Sequence, residues 1–122
     1  MSFQKLWWIV VIKSIQPLCP GLLESVYEEI LMYEFLKREL SVKRQQGLPV
    51  IYETIKLDLG FRADFIIENK LILEVKSIEA IAPVHQKQLL TYLRLTGIKL
   101  GILANFNCAL IKDGLQRVAN NL

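Results

Sequence analysis

Between Arg62 and Lys76 the chain carries its strongest constraint: two strand-like runs joined by a short polar turn, each with an acid on its polar side. In the first run Ala63, Phe65 and Ile67 alternate with Arg62, Asp64 and Ile66, and in the second Leu71, Leu73 and Val75 alternate with Ile72, Glu74 and Lys76. Successive side chains of a strand point to opposite faces, so placing both apolar sets on one face requires an even register. The three-residue loop Glu68-Asn69-Lys70 supplies it and is a common hairpin length. Asp64 then falls opposite or beside Glu74.

Like charges facing one another across strands destabilise a sheet. Lys76 shares the face of Glu74 but offsets only part of the repulsion. A divalent cation with oxygen ligands neutralises such a pair best, and magnesium takes one or two carboxylates, keeps several waters and suits phosphate substrates. Lys76 lies about 7 Å along the strand from Glu74, within reach to orient or deprotonate a water. Those are the parts of metal-assisted phosphodiester hydrolysis. The same three residues also read as the solvated polar face of a half-exposed sheet, and spacing alone leaves both readings open.

Around this hairpin, Gly21 to Leu40 reads as an amphipathic helix, with Leu23, Val26, Ile30, Tyr33 and Leu40 near helical spacing and Glu24, Glu28, Lys37 and Arg38 elsewhere on the wheel. Pro20 suits its first turn. Val42–Gln46 and Val50–Leu59 read as short strands, punctuated by Gly47-Leu48-Pro49 and Gly60. Pro83 opens a second helix to Thr96, stopped by Gly97, with Leu89, Leu90 and Leu93 buried and His85, Gln88 and Tyr92 forming another stripe. Lys99–Phe106 reads as a buried strand, Ala109–Lys112 as a short edge strand and Leu115–Leu122 as a weak helix. Helix, strands, helix and strand in that order imply a mixed sheet with helices packed on it.

A chain of 122 residues, 52% of them hydrophobic, is one domain with a sizeable core; this excludes a disordered tail. Fifteen Lys and Arg against 12 Asp and Glu leave +3, which permits nucleic-acid binding without demanding it. Cys19 and Cys108 are too few and too far apart in sequence for a disulfide framework or a zinc site, so a reduced, cytoplasmic protein is expected. The run Leu6–Ile12 is far short of the ~20 apolar residues that span a bilayer. It reads as a buried or docking segment, with no membrane partner implied.

Asp64, then Glu74-Val75-Lys76, resembles the Asp…Glu-x-Lys signature of the PD-(D/E)XK nuclease superfamily. Gly21-Leu22-Leu23-Glu24-Ser25-Val26-Tyr27 resembles the motif of its GxxExxY branch, and the likeness continues through Pro49-Val50-Ile51-Tyr52, His85…Gln88-Leu89-Leu90-Thr91-Tyr92-Leu93 and Gly101–Asn107. The resemblance covers Leu18 to Leu110. It departs at the start, where Pro17 interrupts the family's helix and Cys19 stands in place of a glycine. Residues 1–20 are therefore read as an atypical N-terminal segment, and 21–122 as the nuclease-like domain.

The resemblance implies an α/β, restriction-endonuclease-like core, a mixed sheet flanked by helices with the site on the central hairpin. Asp64 and Glu74 would be metal ligands for Mg²⁺ or Mn²⁺, with the Val75 carbonyl a third, and Lys76 the catalytic lysine. Glu24 maps to a helix glutamate that reaches the metal or its water in related nucleases; otherwise it is a surface or ion-paired carboxylate. Gln88 would touch substrate phosphate or hold Lys76.

His85 either packs or plays a direct role, Tyr27 and Tyr92 either stack on bases or sit in the core, and Arg62 is a phosphate contact or the carboxylates' ion-pair partner. Lys43, Arg44, Lys56, Lys87, Arg94 and Lys99 are candidates for backbone contacts. The expected function is metal-dependent hydrolysis of DNA, the alternative a non-catalytic nucleic-acid-binding or protein-interaction module. A homodimer through the apolar Leu6–Ile12 run is the expected assembly.

Overall fold

In the computed structural model, residues 7–120 are described, with only the backbone for 7–10 and 57–60. Three helices, α1 (Trp7–Ser14), α2 (Glu24–Lys37) and α3 (Pro83–Thr96), flank a sheet of β1 (Val42–Tyr52), β2 (Ile55–Ile67), β3 (Leu71–Lys76), β4 (Leu100–Asn105) and β5 (Leu115–Ala119). The strands lie in chain order. Only β3 and β4 are parallel, joined by the α3 crossover; the other neighbours are antiparallel. Parallel neighbours need such a crossover, which covers one face of the sheet.

Two apolar layers result. On one face Val11, Ile12 and Ile15 of the α1 region and Tyr27, Leu31 and Phe35 of α2 pack on Phe65, Ile67, Leu71, Leu73, Val75, Leu100 and Ile102. On the other, Leu89, Tyr92 and Leu93 of α3 cover Ile66, Ile72 and Leu103. The even-register hairpin is present: Phe65 pairs with Leu73 and Ile67 with Leu71 across the Glu68–Lys70 turn. Ala63 is the exception, joining the α3 side and not the side of Phe65. At Gly101 a Cβ would lie 2.9 Å from Leu89 Cδ2, so the glycine permits the close approach of α3 to β4.

Several sequence expectations give way. Pro20 does not enter the helix: the Cys19–Pro20 bond is cis, Gly21 takes φ 130°, and α2 begins at Glu24 after Leu23. The stripe Leu23–Val26–Tyr33 faces outward, with Leu23 74% and Tyr33 65% exposed, while Tyr27, Glu28, Leu31 and Phe35 are buried. Helix α2 is apolar on more than one side, so periodicity could not choose the inward one. Gly47-Leu48-Pro49 does not end a strand. β1 is an edge strand, where proline is tolerated, and a register shift between Leu48 and Val50 absorbs the irregularity.

Ile111–Gly114 is a 3₁₀ turn where an edge strand was expected, and Leu115–Ala119 is β5 where a helix was expected. So short a segment cannot sustain a helix alone, whereas the open edge of β4 offers it a backbone ladder. Residues 121–122 of that expected helix, and Leu6 of the first apolar run, lie outside the described residues. Val11 and Ile12 of that run are in the core, so they are not available as a dimer surface. Cys19 and Cys108 are free thiols. No helix among the described residues is long and apolar enough to cross a membrane.

Candidate active site

The β2–β3 ladder ends at the Phe65–Leu73 rung. Beyond it, where the next rungs would join backbone to backbone, the Asp64 carboxylate enters the gap and its Oδ2 accepts the Val75 N–H at 2.8 Å. Its Oδ1 accepts from Gln45 Nε2 at 3.3 Å. Glu74 follows one residue earlier on β3 and is only 5% exposed. Its Oε1 is buried without a hydrogen-bond partner.

Burial chiefly, then the hydrogen bond and charge of neighbouring Asp64, push the Glu74 carboxyl up to about 10, against an opposing pull from Lys76. Glu74 is thus protonated at neutral pH unless a cation replaces its proton. An acid raised by burial and a specific charged neighbour, with one oxygen unsatisfied, is a candidate functional group.

Lys76 is half-buried at the end of β3 and makes no ion pair within 4 Å among the described residues. Several side chains fix the chain where it leaves Lys76. Glu24 Oε2 accepts the Ser77 N–H at 3.1 Å, and Ser77 Oγ donates to the Leu22 carbonyl. From β4, buried Asn105 accepts the Ile78 N–H at its Oδ1 and donates its Nδ2 to the Ile78 carbonyl. Gly114 makes room for this end of β4, since a Cβ there would lie 2.0 Å from the Asn105 carbonyl oxygen.

The glycine–glutamate–tyrosine motif therefore has visible structural work. Gly21 turns the chain at positive φ, and Glu24 holds the exit of β3. Tyr27 is fully buried and stacks on Phe106 at 4.7 Å; its hydroxyl donates to the Leu18 carbonyl and accepts the Leu22 N–H. It is a core residue and not a base-stacking platform.

Asp64, Glu74 and Lys76 are brought together; the remaining candidates divide. No group of three His, Cys, Asp or Glu side chains among the described residues is placed to share a metal ion, so Glu24 does not complete a three-carboxylate cluster here. His85 caps α3, its Nδ1 accepting the Ala82 N–H while its own N–H donates to the Ala82 carbonyl. Gln88 is exposed one helical turn before Tyr92. Arg62 is exposed and is not an ion-pair partner of the carboxylates. Arg44 is taken by Glu28 and Glu29.

Tyr92 and Gln45 are the residues that sequence reasoning undervalued. Tyr92 is buried beside the acids; burial first, then the charges of Glu74 and Asp64, push its phenol up, while the Arg62 backbone N–H acts in the opposite sense. Gln45 carried no sequence signal, because a glutamine in a polar strand has no distinctive spacing.

A sheet whose layers and central hairpin carry this acid–acid–lysine set defines a restriction-endonuclease-like α/β protein. The chain belongs to the PD-(D/E)XK nuclease superfamily, whose family model matches residues 6–118. No curated protein and no solved structure matches it. Nucleases of this superfamily generally use divalent metal ions. The buried, unpartnered Glu74 oxygen beside Asp64 fits such an ion, because a hard cation is the partner that two facing carboxylates lack.

Proposed function

We propose that this chain is a Mg²⁺- or Mn²⁺-dependent nuclease of the GxxExxY branch that hydrolyses phosphodiester bonds of DNA in the cytoplasm. The observation that carries the reading is the buried, unpartnered Oε1 of Glu74 beside Asp64. Asp64 and Glu74 would hold the cation, with the Val75 carbonyl next to them. A cation bound there supplies Lewis acidity and lowers the pKa of water toward neutrality. Lys76 presents its ammonium to the negative charge that builds on the phosphate, where a preoriented charge in a partly dry site acts most strongly. Gln88, exposed on the Tyr92 side of α3, would meet a phosphate. Glu24 acts through the Ser77 N–H and keeps the backbone after Lys76 in place.

One observation favours a second reading, a non-catalytic nucleic-acid-binding or interaction module: two carboxylates, and not three, converge among the described residues. Labelled single-stranded, double-stranded and branched substrates, incubated with Mg²⁺, Mn²⁺ or EDTA, separate the two. The nuclease reading expects metal-dependent cleavage; binding without cleavage in every metal supports the module. A homodimer belongs to the proposal as well, with the outward apolar face of α2 (Leu23, Val26, Tyr33 and Leu36) as its surface.

A further inference from the structure

Consecutive side chains in a regular strand point to opposite faces, yet Arg44 and Gln45 both reach the same oxygen. Arg44 Nε donates to Glu28 Oε1 at 3.3 Å, and Gln45 Nε2 donates to that oxygen at 2.8 Å. The backbone makes this possible by turning at Gln45, which takes φ 53°. Few residues other than glycine adopt that conformation, and glutamine is not among those enriched in it. Such a departure persists only where its surroundings fix it, and it concentrates at functional sites. Here the departure brings the Gln45 amide to two carboxylates at once, Glu28 on α2 and Asp64 at the site.

We infer that Gln45 is a positioning residue that holds the Asp64 carboxylate in its metal-binding orientation, and that the Arg44–Glu28 pair locks Gln45 in turn. The inference rests on the metal-binding reading of Asp64 and Glu74. The chain of contacts runs from Arg44 to Glu28, to Gln45, to Asp64 Oδ1, while Asp64 Oδ2 is held by the Val75 N–H. Each carboxylate oxygen has two lone pairs, so both oxygens are fixed and each keeps one for a cation. Partners of this kind, one step removed from a metal, typically change affinity about 10- to 100-fold when removed. The Gln45–Asp64 bond is itself exposed to solvent, so its loss costs the empty protein little.

The test compares Mn²⁺ titrations of wild type, Gln45→Met and Gln45→Asn, each followed by thermal melting without substrate. Gln45→Met keeps the length of the side chain and removes the donor. Gln45→Asn suits positive φ better than glutamine but is too short to bridge both acids, so it preserves the fold if Gln45→Met does not. Both variants also lose the part-buried bond to Glu28, so in EDTA they should melt below wild type by up to about 10 °C, and their Mn²⁺ midpoints should rise about tenfold. A purely structural glutamine would shift melting in EDTA and leave the midpoint alone. Midpoints equal to wild type in both variants would overturn the inference while the metal reading stands. A wild type that Mn²⁺ does not stabilise would overturn both.

Discussion

Among the described residues, carboxylates come together at the α2–β1 and at the β2–β3 junction, and they are treated in opposite ways. At the junction of α2 and β1, Glu28 is 8% exposed, but Arg44 and Gln45 donate to it and Arg44 also binds Glu29. At the β2–β3 junction Glu74 is equally buried, yet it has an orphaned oxygen, a neighbouring acid and a lysine that forms no ion pair with it. The first cluster carries its own cation and is structural. The second lacks one, and burying charge without a partner is costly enough that the acid stays protonated. Acid clusters of similar burial thus acquire different meanings from whether the chain itself supplies the counter-charge.

The largest expected effect separates the lysine of one cluster from the arginine of the other. Lys76→Met should reduce cleavage at least about 100-fold, since it removes a charge placed for the transition state, while leaving melting and DNA affinity nearly unchanged. Single-turnover cleavage equal to wild type would remove Lys76 from the chemistry. Arg44→Met should do the reverse in stability, costing about 2 kcal/mol in urea unfolding. A fully buried pair would cost more when broken, but the Arg44 side chain is 26% exposed and water softens the loss. No change on Arg44→Met would mean that the α2–β1 cluster is as dispensable as a surface pair.

A third expectation concerns pH without metal. Glu74 is raised from an ordinary 4.5 to about 10, so the folded protein holds a proton that the unfolded chain releases. The stability from this proton is complete below the unfolded value and is lost as pH rises toward the folded one, at up to about 1.4 kcal/mol per pH unit. Urea unfolding in EDTA at several pH values should therefore show wild type weakening from mildly acid to mildly alkaline conditions relative to Glu74→Gln. Parallel curves for the two proteins would place Glu74 in an ordinary solvated environment. Metal binding must displace the same proton, so Mn²⁺ affinity should rise with pH.

The smallest effect concerns assembly. Tyr33→Glu on the outward face of α2 should shift sedimentation from dimer to monomer without changing unfolding. A monomeric wild type at micromolar concentration would remove the dimer.

What the sequence made legible follows the same division. The central hairpin, its three-residue turn, the bounds of α3 and the meeting of Asp64 with Glu74 were readable, because strand alternation and a Pro…Gly frame are local signals. The inward side of α2 was not readable, since Tyr27, Leu31 and Phe35 compete with an equally apolar outward stripe and only the sheet decides. β5 owes its form to the free edge of β4, a tertiary cause. At the site, spacing brings the acids and the lysine together while leaving their catalytic and structural readings open, whereas Gln45 and Tyr92 arrive from β1 and α3 through the fold. Arg62 shows the limit from the other side: its position suggested a partner for Asp64, and the chain gave that carboxylate a backbone N–H and an amide.

The central claim is that the Asp64–Glu74 pair is a cation site and not a structural cluster, and melting of Asp64→Asn beside wild type in two buffers tests it most directly. The substitution removes the Asp64 charge that helps to raise the Glu74 carboxyl at nearly constant shape, and an amide oxygen at that position can still accept the Val75 N–H, so in EDTA the variant should equal or slightly exceed wild type, within about 1 kcal/mol. In Mn²⁺ the order should invert. A ligand bound only by the folded state at a hundred times its dissociation constant stabilises by about 2.7 kcal/mol, and Asp64→Asn should lose most of that gain. A variant weaker than wild type in EDTA, with neither protein responding to Mn²⁺, would contradict the account and return the hairpin acids to the structural class of Glu28.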